Sequence, residues 1–189
     1  MTIEHTNALL QGLFNCGGYE RGHAFIKDHA AEITPEFVSA LRTTSMNLLT
    51  GDEAEPSLAP IFASLAFVAA VVLNDDHEKG MSRYCEGSIL ARLGNLRQAI
   101  ARFEEAADYL RLGTNSQELA NCLYDNAICH DKLGELSRAV MLIEESLSHQ
   151  TDEEQRGQAR AYLLVLEKKS GNLETEDDFR DYIQRILKK

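Results

Sequence analysis

Proline is scarce in this chain of 189 residues, and its β-branched residues do not gather into the runs that predict strands. The three prolines stand at positions 35, 56 and 60, and only the acidic stretch 51–56 forms a pronounced break. Apolar residues recur instead at steps of three and four, the period of an α-helix. We therefore predict an all-α fold of about ten helices, the last ending at Leu187, with short connections that make sequential helices antiparallel neighbours.

Basic residues are also in short supply. The chain has 19 of them against 30 acidic residues, which gives a net charge of −11. Nucleic acids and anionic membranes bind through basic patches, so we expect neither as a partner. The longest apolar run, Leu65 to Leu73, is too short to cross a bilayer. The first residues lack the basic flank and the cleavage site of a signal peptide. These absences predict a cytoplasmic protein.

Motifs for catalysis and metal binding are missing as well. The sequence has no phosphate-binding loop, dinucleotide glycine pattern, HExxH helix or nucleophile elbow. The cysteines show no CxxC or metal-like spacing, which indicates small buried thiols in a reducing compartment. Cys129 and His130 are adjacent, but neighbours on a helix point about 100° apart, so we expect His130 to be a packing residue. Asp75 to Glu78 is expected to be a solvated loop. We therefore predict no enzymatic activity, no cofactor and no metal site.

Residues typical of helix ends mark several boundaries. Thr34 precedes a proline, which favours an N-cap followed by the first helical residue. Thr114 with Gln117, and Thr151 with Glu154, match the capping box. Glycine follows five of the helical patterns, where the position after a helix favours a positive φ. These glycines are Gly51, Gly94, Gly113, Gly134 and Gly171.

Two segments of the chain, 93–100 and 133–140, are near-copies that lie 40 residues apart. Each lies between two helical patterns, so this period predicts stacked helical hairpins. Around Gly94 and Gly134 the same classes of residue recur at matching positions, with small side chains at three positions and one large apolar side chain. The small residues are Gly87 and Ala127, Ala99 and Ala139, and Ala106 and Ser146, and the large ones are Phe103 and Ile143.

This arrangement of small and large residues resembles the tetratricopeptide repeat. Two helices that cross closely need small side chains at the contact and a large one to fill the groove between them. The resemblance is clearest over 80–113 and 120–150, is degenerate over 1–79, and implies a polar capping hairpin over 153–189. It implies one domain, 1–189, built as an α-solenoid of antiparallel hairpins in a right-handed superhelix. Another type of α-solenoid is the structural alternative.

The resemblance further implies that the first helix of each hairpin lines a concave face. Tyr84 and Tyr124 then share one repeat position, and Arg92, Lys132 and Lys169 share another. Cations beside aromatic rings suit an extended peptide with carboxylates. The alternatives are that these charges only stabilise helix ends and that the tyrosines pack against the adjacent repeat. The predicted partner-binding residues are Tyr84, Ser88, Arg92, Tyr124, Ile128, Asp131, Lys132, Lys168 and Lys169.

We predict a non-enzymatic interaction module, an adaptor or regulator that holds a peptide segment of another protein, with an acidic partner favoured. Two alternatives stay open. The first is a sensor that closes on a small molecule or a signalling peptide. The second is a self-assembling structural subunit, for instance a homodimer. The helix predicted from Ile61 to Leu73 bears on the second alternative, because it is so apolar that it is either fully buried or a dimer seam.

Overall fold

The computed structural model describes residues 3–52, 54–173 and 175–186, and within these ranges the chain is helical and has no strand. The prediction of an all-α fold is therefore confirmed. Glu53, Glu174 and the predicted end of the last helix at Leu187 lie outside the described residues. The helices are α1 Ile3–Cys16, α2 Tyr19–Asp28, α3 Pro35–Thr50, α4 Ala59–Leu73, α5 Asp76–Arg92, α6 Leu96–Leu110, α7 Ser116–Lys132, α8 Leu136–His149, α9 Glu153–Lys169 and α10 Glu176–Ile186, with a short 3-10 helix at Ala30–Glu32.

The chain divides after Gly113 into two compact units. Unit 1 contains α1 to α6, and unit 2 contains α7 to α10. The predicted repeats 80–113 and 120–150 thus fall into different units, each as a complete hairpin. The prediction of one domain over 1–189 stays a prediction.

In unit 1, successive helices pack as hairpins, and alternate helices also contact one another. The pairs α1/α2, α3/α4 and α5/α6 are in contact, and α3 also touches both α1 and α5, while α4 touches α2. Gly22 on α2 allows the last of these contacts, because a Cβ at this position would lie 2.7 Å from Leu65 Cδ1 on α4. The unit therefore packs in layers in which a first helix meets the next first helix.

In unit 2, α7 and α8 form a hairpin, and α9 packs against α8. The apolar stripes of these helices are buried together, as their spacing predicts. Fully or almost fully buried side chains in this unit include Leu123, Ala127, Ile143, Leu163 and Leu166.

The steric reasoning behind the repeat is confirmed at its central positions. Ala99 and Ala139 are completely buried. A Cβ at Gly87 would lie 2.7 Å from the ring carbons Cδ1 and Cε1 of Phe103, so α5 and α6 approach closely only because this position has no side chain. Phe103 itself is buried and fills the space that Gly87 leaves.

The turns of the two hairpins also match. Gly94 and Gly134 have φ of +83° and +78°, a left-handed conformation that favours glycine. The N–H of Asn95 donates to the carbonyl of Leu90 at 2.9 Å, and Glu135 donates to His130 at 2.9 Å. These are the long-range bonds of a Schellman motif. Gly171 also has positive φ, whereas Gly51 has φ −76° and Gly113 is not left-handed, so the prediction was wrong at these two glycines.

The predicted helix starts are only partly correct. Thr34 is the N-cap of α3, as expected, and accepts from the N–H of Phe37. The N-caps of α7 and α9 are Asn115 and Asp152, each one residue after the predicted threonine. Asp152 accepts from Gln155 N at 2.8 Å. Asp152 thus takes the place of Thr151 at the start of α9, since aspartate is at least as good an N-cap as threonine. The side chain of Asn115 makes no cap hydrogen bond, so neither predicted capping box forms.

The stretch predicted as a solvated loop begins a helix instead. Asp75 is the N-cap of α5, and its Oδ1 accepts from the N–H of Glu78 at 3.0 Å. Glu78 is buried and forms an ion pair with Arg42 on α3. An acidic first turn suits the positive end of the helix dipole, which explains the run of carboxylates without a bound metal ion.

Candidate functional site

Predicted partner-binding residues on α7 and α9 meet in unit 2. Asp131 lies on α7, and both of its carboxylate oxygens accept from Lys169 Nζ on α9, at 2.9 and 2.7 Å. The ring of Tyr124 lies 5.6 Å from the ring of Tyr162. Tyr162 also donates its hydroxyl to Asp131 Oδ2 at 2.8 Å. The first helices of consecutive hairpins therefore share one polar and aromatic cluster.

Tyr162 belongs to this cluster, although the sequence reasoning missed it. The repeat register, applied to α9, selects the preceding residue, Ala161, as the one on the concave face. A simpler signal was available: Tyr162 precedes Lys169 by seven residues, just as Tyr124 precedes Asp131. A spacing of seven is about two helical turns and places both members of each pair on one face.

The electrostatics of the cluster follow from these bonds. Burial raises the pKa of Asp131, but the hydrogen bonds from Lys169 and Tyr162 outweigh it, so the pKa of this carboxyl lies below its ordinary value. Burial, followed by the hydrogen bond to Asp131, raises the pKa of Tyr162 strongly. Burial also raises the pKa of Tyr124. Both phenols stay protonated, and the cluster is a neutral, hydrogen-bonded surface rather than a reactive one.

The remaining predicted residues of unit 2 are accessible. Lys132 and Lys168 are exposed and form no ion pair with any described residue, and Ile128 is half-buried. Among the predicted binding residues of unit 2, these two lysines, unlike Lys169, are exposed cations without an ion pair to any described residue.

In unit 1 the predicted residues lie on α5. Tyr84 and Ser88 are half-buried and Arg92 is exposed. The ring of Tyr84 lies 5.9 Å from that of Phe103, inside the same hairpin. Tyr124 contacts Tyr162 on the next first helix, as the alternative of packing against the adjacent repeat predicted, whereas the ring contact of Tyr84 lies within its own hairpin.

A second surface of unit 1 was not predicted from the sequence. It is a groove of about 700 Å³ with α4 as its floor, and α2, α5 and α6 also contribute side chains. On α4, one stripe of residues is buried in the core, and the opposite stripe faces this groove. The helix Ala59–Leu73 is therefore not fully buried: Val71 is 47% exposed. The groove residues are Tyr19, His23, Lys27, Pro60, Ile61, Ser64, Phe67, Val68, Val71, Val72, Arg83, Glu86 and Arg102.

A charged network fixes one wall of the groove. Glu86 is buried and accepts from Ser64 Oγ at 2.8 Å and from Arg83 Nη1 at 2.6 Å, and Arg102 Nε lies 3.2 Å from it. The guanidinium carbon of Arg83 stands 3.5 Å above the ring centroid of Phe67, a cation–π contact. Glu105 pairs with both arginines. Two carboxylates thus balance two guanidinium groups in a rigid arrangement.

The thiols and the buried histidine fit structural roles. Burial raises the pKa of Cys85 and of Cys129, which keeps these thiols protonated and poorly nucleophilic. His130 is buried at the end of α7, and its Nδ1 lies 2.6 Å from Glu135 Oε2 in the following turn. This contact joins α7 to the turn of its own hairpin, as expected for a packing residue.

Neither a metal cluster nor a membrane span is found in the described parts of the chain. No three or more His, Cys, Asp or Glu side chains converge there as metal ligands would. None of the described helices combines the length and the apolar character needed to cross a bilayer. Comparison with protein-family models and with curated protein sequences gives no match.

Proposed function

We propose that this protein is an interaction module of the tetratricopeptide type, in which stacked hairpins hold a peptide segment of another protein. The cluster of Tyr124, Asp131, Tyr162 and Lys169 supports the proposal most directly. It joins α7 to α9, and the repeat assigns three of its four residues, Tyr124, Asp131 and Lys169, to one face.

The packing of unit 1 agrees with this proposal. A solenoid requires each first helix to lie beside the next first helix. The contacts of α1 with α3 and of α3 with α5 meet this requirement, and the ion pair between Arg42 and Glu78 links the second of these pairs. The region 1–79, whose sequence fits the repeat least, thus also packs as helical hairpins, α1/α2 and α3/α4.

The accessible cations give the proposed face its chemistry. In unit 2, Lys132 and Lys168 are exposed and unpaired among the described residues, and the half-buried Tyr124 and Tyr162 lie on the same two helices, α7 and α9. In unit 1, taken by itself, Arg92 is exposed on α5. Such a face suits a peptide that carries carboxylates, because ammonium and guanidinium groups bind carboxylates through charge-assisted hydrogen bonds.

Affinity capture with a charge-reversed variant tests this assignment. The immobilised double variant Lys132→Glu and Lys168→Glu should lose acidic partners that the wild-type protein retains from a lysate of its source cells. The matched control is Arg138→Glu, which reverses an exposed charge on the second helix α8. If the double variant and the control retain the same proteins in the same amounts, the first-helix face is not the binding surface.

A further inference from the structure

We propose that the groove along α4 is a second docking surface, and that its occupant is an amphipathic helix of a partner protein with an acidic flank. This surface lies over the second helices of the hairpins in unit 1. It does not depend on the first-helix face discussed above, since it shares no residue with that face.

The floor of the groove is an apolar stripe that water reaches. Ile61, Val68, Val71 and Val72 recur at helical spacing along α4, where Ile61, Val68 and Val72 are half-buried and also pack against the core, whereas Val71 is exposed. Val71 is 47% exposed, and Tyr19 at the edge of the groove is 39% exposed. Exposed apolar side chains that form one patch, rather than isolated ones, mark an interaction surface.

The length of the groove favours a helix over a small molecule. From Pro60 to Val72 the floor extends about 18 Å, at 1.5 Å per residue. This length matches roughly three turns of an inserted helix, which would place anchors at positions i, i+3, i+4 and i+7 on the stripe. The groove is open along one side rather than enclosed, so a helix can enter laterally.

The charged residues of the groove indicate which charge the partner should carry beside its apolar anchors. The network of Arg83, Arg102, Glu86 and Glu105 is balanced, so it contributes donors but little net charge. Lys27 on α2 is exposed and, among the described residues, has no acidic partner. The groove therefore offers one uncompensated cation and no uncompensated carboxylate, in a chain whose net charge is −11. An acidic residue beside the apolar anchors complements this pattern.

Two designed peptides provide the test. Both are fluorescein-labelled helices of about 14 residues, close to the length of the groove, with leucine at i, i+3, i+4 and i+7. One carries glutamate on its flanks and the other carries lysine. Titration of the full-length protein, followed by fluorescence anisotropy, should show at least about tenfold tighter binding of the glutamate peptide, a difference of about 1.4 kcal/mol.

Variants locate the binding on the protein. Val71→Asp should weaken binding of the glutamate peptide by about tenfold or more. Its matched control is Met141→Asp on α8, another change at an exposed apolar position (58% exposed), which should leave binding unchanged. Lys27→Glu should reverse the preference between the two peptides. Lys132→Glu should have no effect, which separates this proposal from the one on the first-helix face.

Three results would overturn the proposal. They are binding weaker than about 1 mM for both peptides, equal affinity of wild-type protein and Val71→Asp for the glutamate peptide, and a homodimer, seen by light scattering, that Val71→Asp dissociates. The third result would assign the groove to a second copy of this chain. Circular dichroism verifies that each variant is folded.

Discussion

The hairpins α5/α6 and α7/α8 have similar sequences, but the side chains that fill the space between their two helices differ in size. In the first hairpin, α5 has Gly87 where α7 has Ala127, and the large residue of the second helix is Phe103 instead of Ile143. A methyl group missing from one helix is thus matched by a larger side chain on the other. Both large residues are buried, at 1% and 0% exposure.

The two hairpins also differ at the other end of the contact. A Cβ on Gly80 would lie 3.0 Å from Leu110 Cδ2, whereas α7 has Ala120 at the equivalent position. Where α6 has Ala106, α8 has Ser146, which donates its hydroxyl to the carbonyl of Ala120 at 2.8 Å. At this end α7/α8 has the larger residue at both positions, so volume is compensated only between Gly87/Ala127 and Phe103/Ile143.

The largest expected effect on stability comes from truncating the large apolar residue of the second helix, Phe103 in α6 or Ile143 in α8. Phe103→Ala should lower the free energy of unfolding by about 4–5 kcal/mol, and Ile143→Ala by about 3 kcal/mol, because the cavity beside Gly87 is the larger one. Urea unfolding followed by circular dichroism measures both values, and the slope of each transition checks whether the chain unfolds in one step. An equal or larger loss for Ile143→Ala would contradict volume compensation between the two helices.

A smaller effect is expected from Gly87→Ala. The new methyl group collides with the ring of Phe103, so we expect a net loss of about 1–3 kcal/mol despite the better helix propensity of alanine. The matched control is Gly157→Ala on α9, where a Cβ meets no atom within 4 Å. This change should stabilise the protein by about 0.5–1 kcal/mol.

A double-mutant cycle decides whether the collision with Phe103 causes the loss of stability in Gly87→Ala. In a Phe103→Ala background the methyl group at position 87 enters the cavity, so Gly87→Ala should become stabilising. Additive effects of the two changes would mean that position 87 acts through backbone conformation and not through contact with the ring.

Much of the local structure could be predicted because it depends on few neighbours. The turns at Gly94 and Gly134 follow from backbone geometry, and the burial of Ala99 and Ala139 follows from the repeat. The cap of α7 was missed because Gln117 has other partners. Its Oε1 accepts from the N–H of Thr151 at 2.8 Å, in the connection between α8 and α9.

The candidate surfaces could be predicted only in part. Asp131 and Lys169 were both selected as binding residues, but their mutual ion pair depends on the packing of α9, which the repeat register did not give. The groove along α4 depends on the packing of four helices, α2, α4, α5 and α6, and on which stripe of α4 the core covers. Periodicity does not decide this for a helix that is apolar on most sides.

The helix starts of the two hairpins provide a third comparison. Asp75 caps α5 with a side-chain hydrogen bond, whereas Asn115 at the start of α7 makes none. Asp75→Ala should therefore cost about 1 kcal/mol, and Asn115→Ala less than about 0.5 kcal/mol. Thermal unfolding of the two variants measures the difference. Equal losses would mean that the hydrogen bond from Glu78 N to Asp75 Oδ1 contributes nothing to stability.

The smallest expected effect concerns the ion pair of Asp131 and Lys169. The first hairpin cannot form this pair, because α5 has Ala91 at the repeat position of Asp131. The lowered pKa of Asp131 means that its contribution to stability is present above the ordinary aspartate value of about 3.9 and is lost as the pH falls through the lowered value. Lys169 is about half exposed, so Lys169→Met should cost less than about 1 kcal/mol at pH 7.

The contribution of this ion pair can be measured from the melting temperatures of wild-type protein and Lys169→Met as a function of pH. The difference in melting temperature between wild-type protein and Lys169→Met should be constant from pH 7 to about pH 5 and should shrink below about pH 4, as Asp131 becomes protonated in both proteins. The control is Lys168→Met, which removes a neighbouring exposed lysine without an ion pair among the described residues and should show no such change with pH. A difference for Lys169→Met that persists at pH 2 would show that the lysine stabilises the packing of α9 through its aliphatic chain and not through its charge.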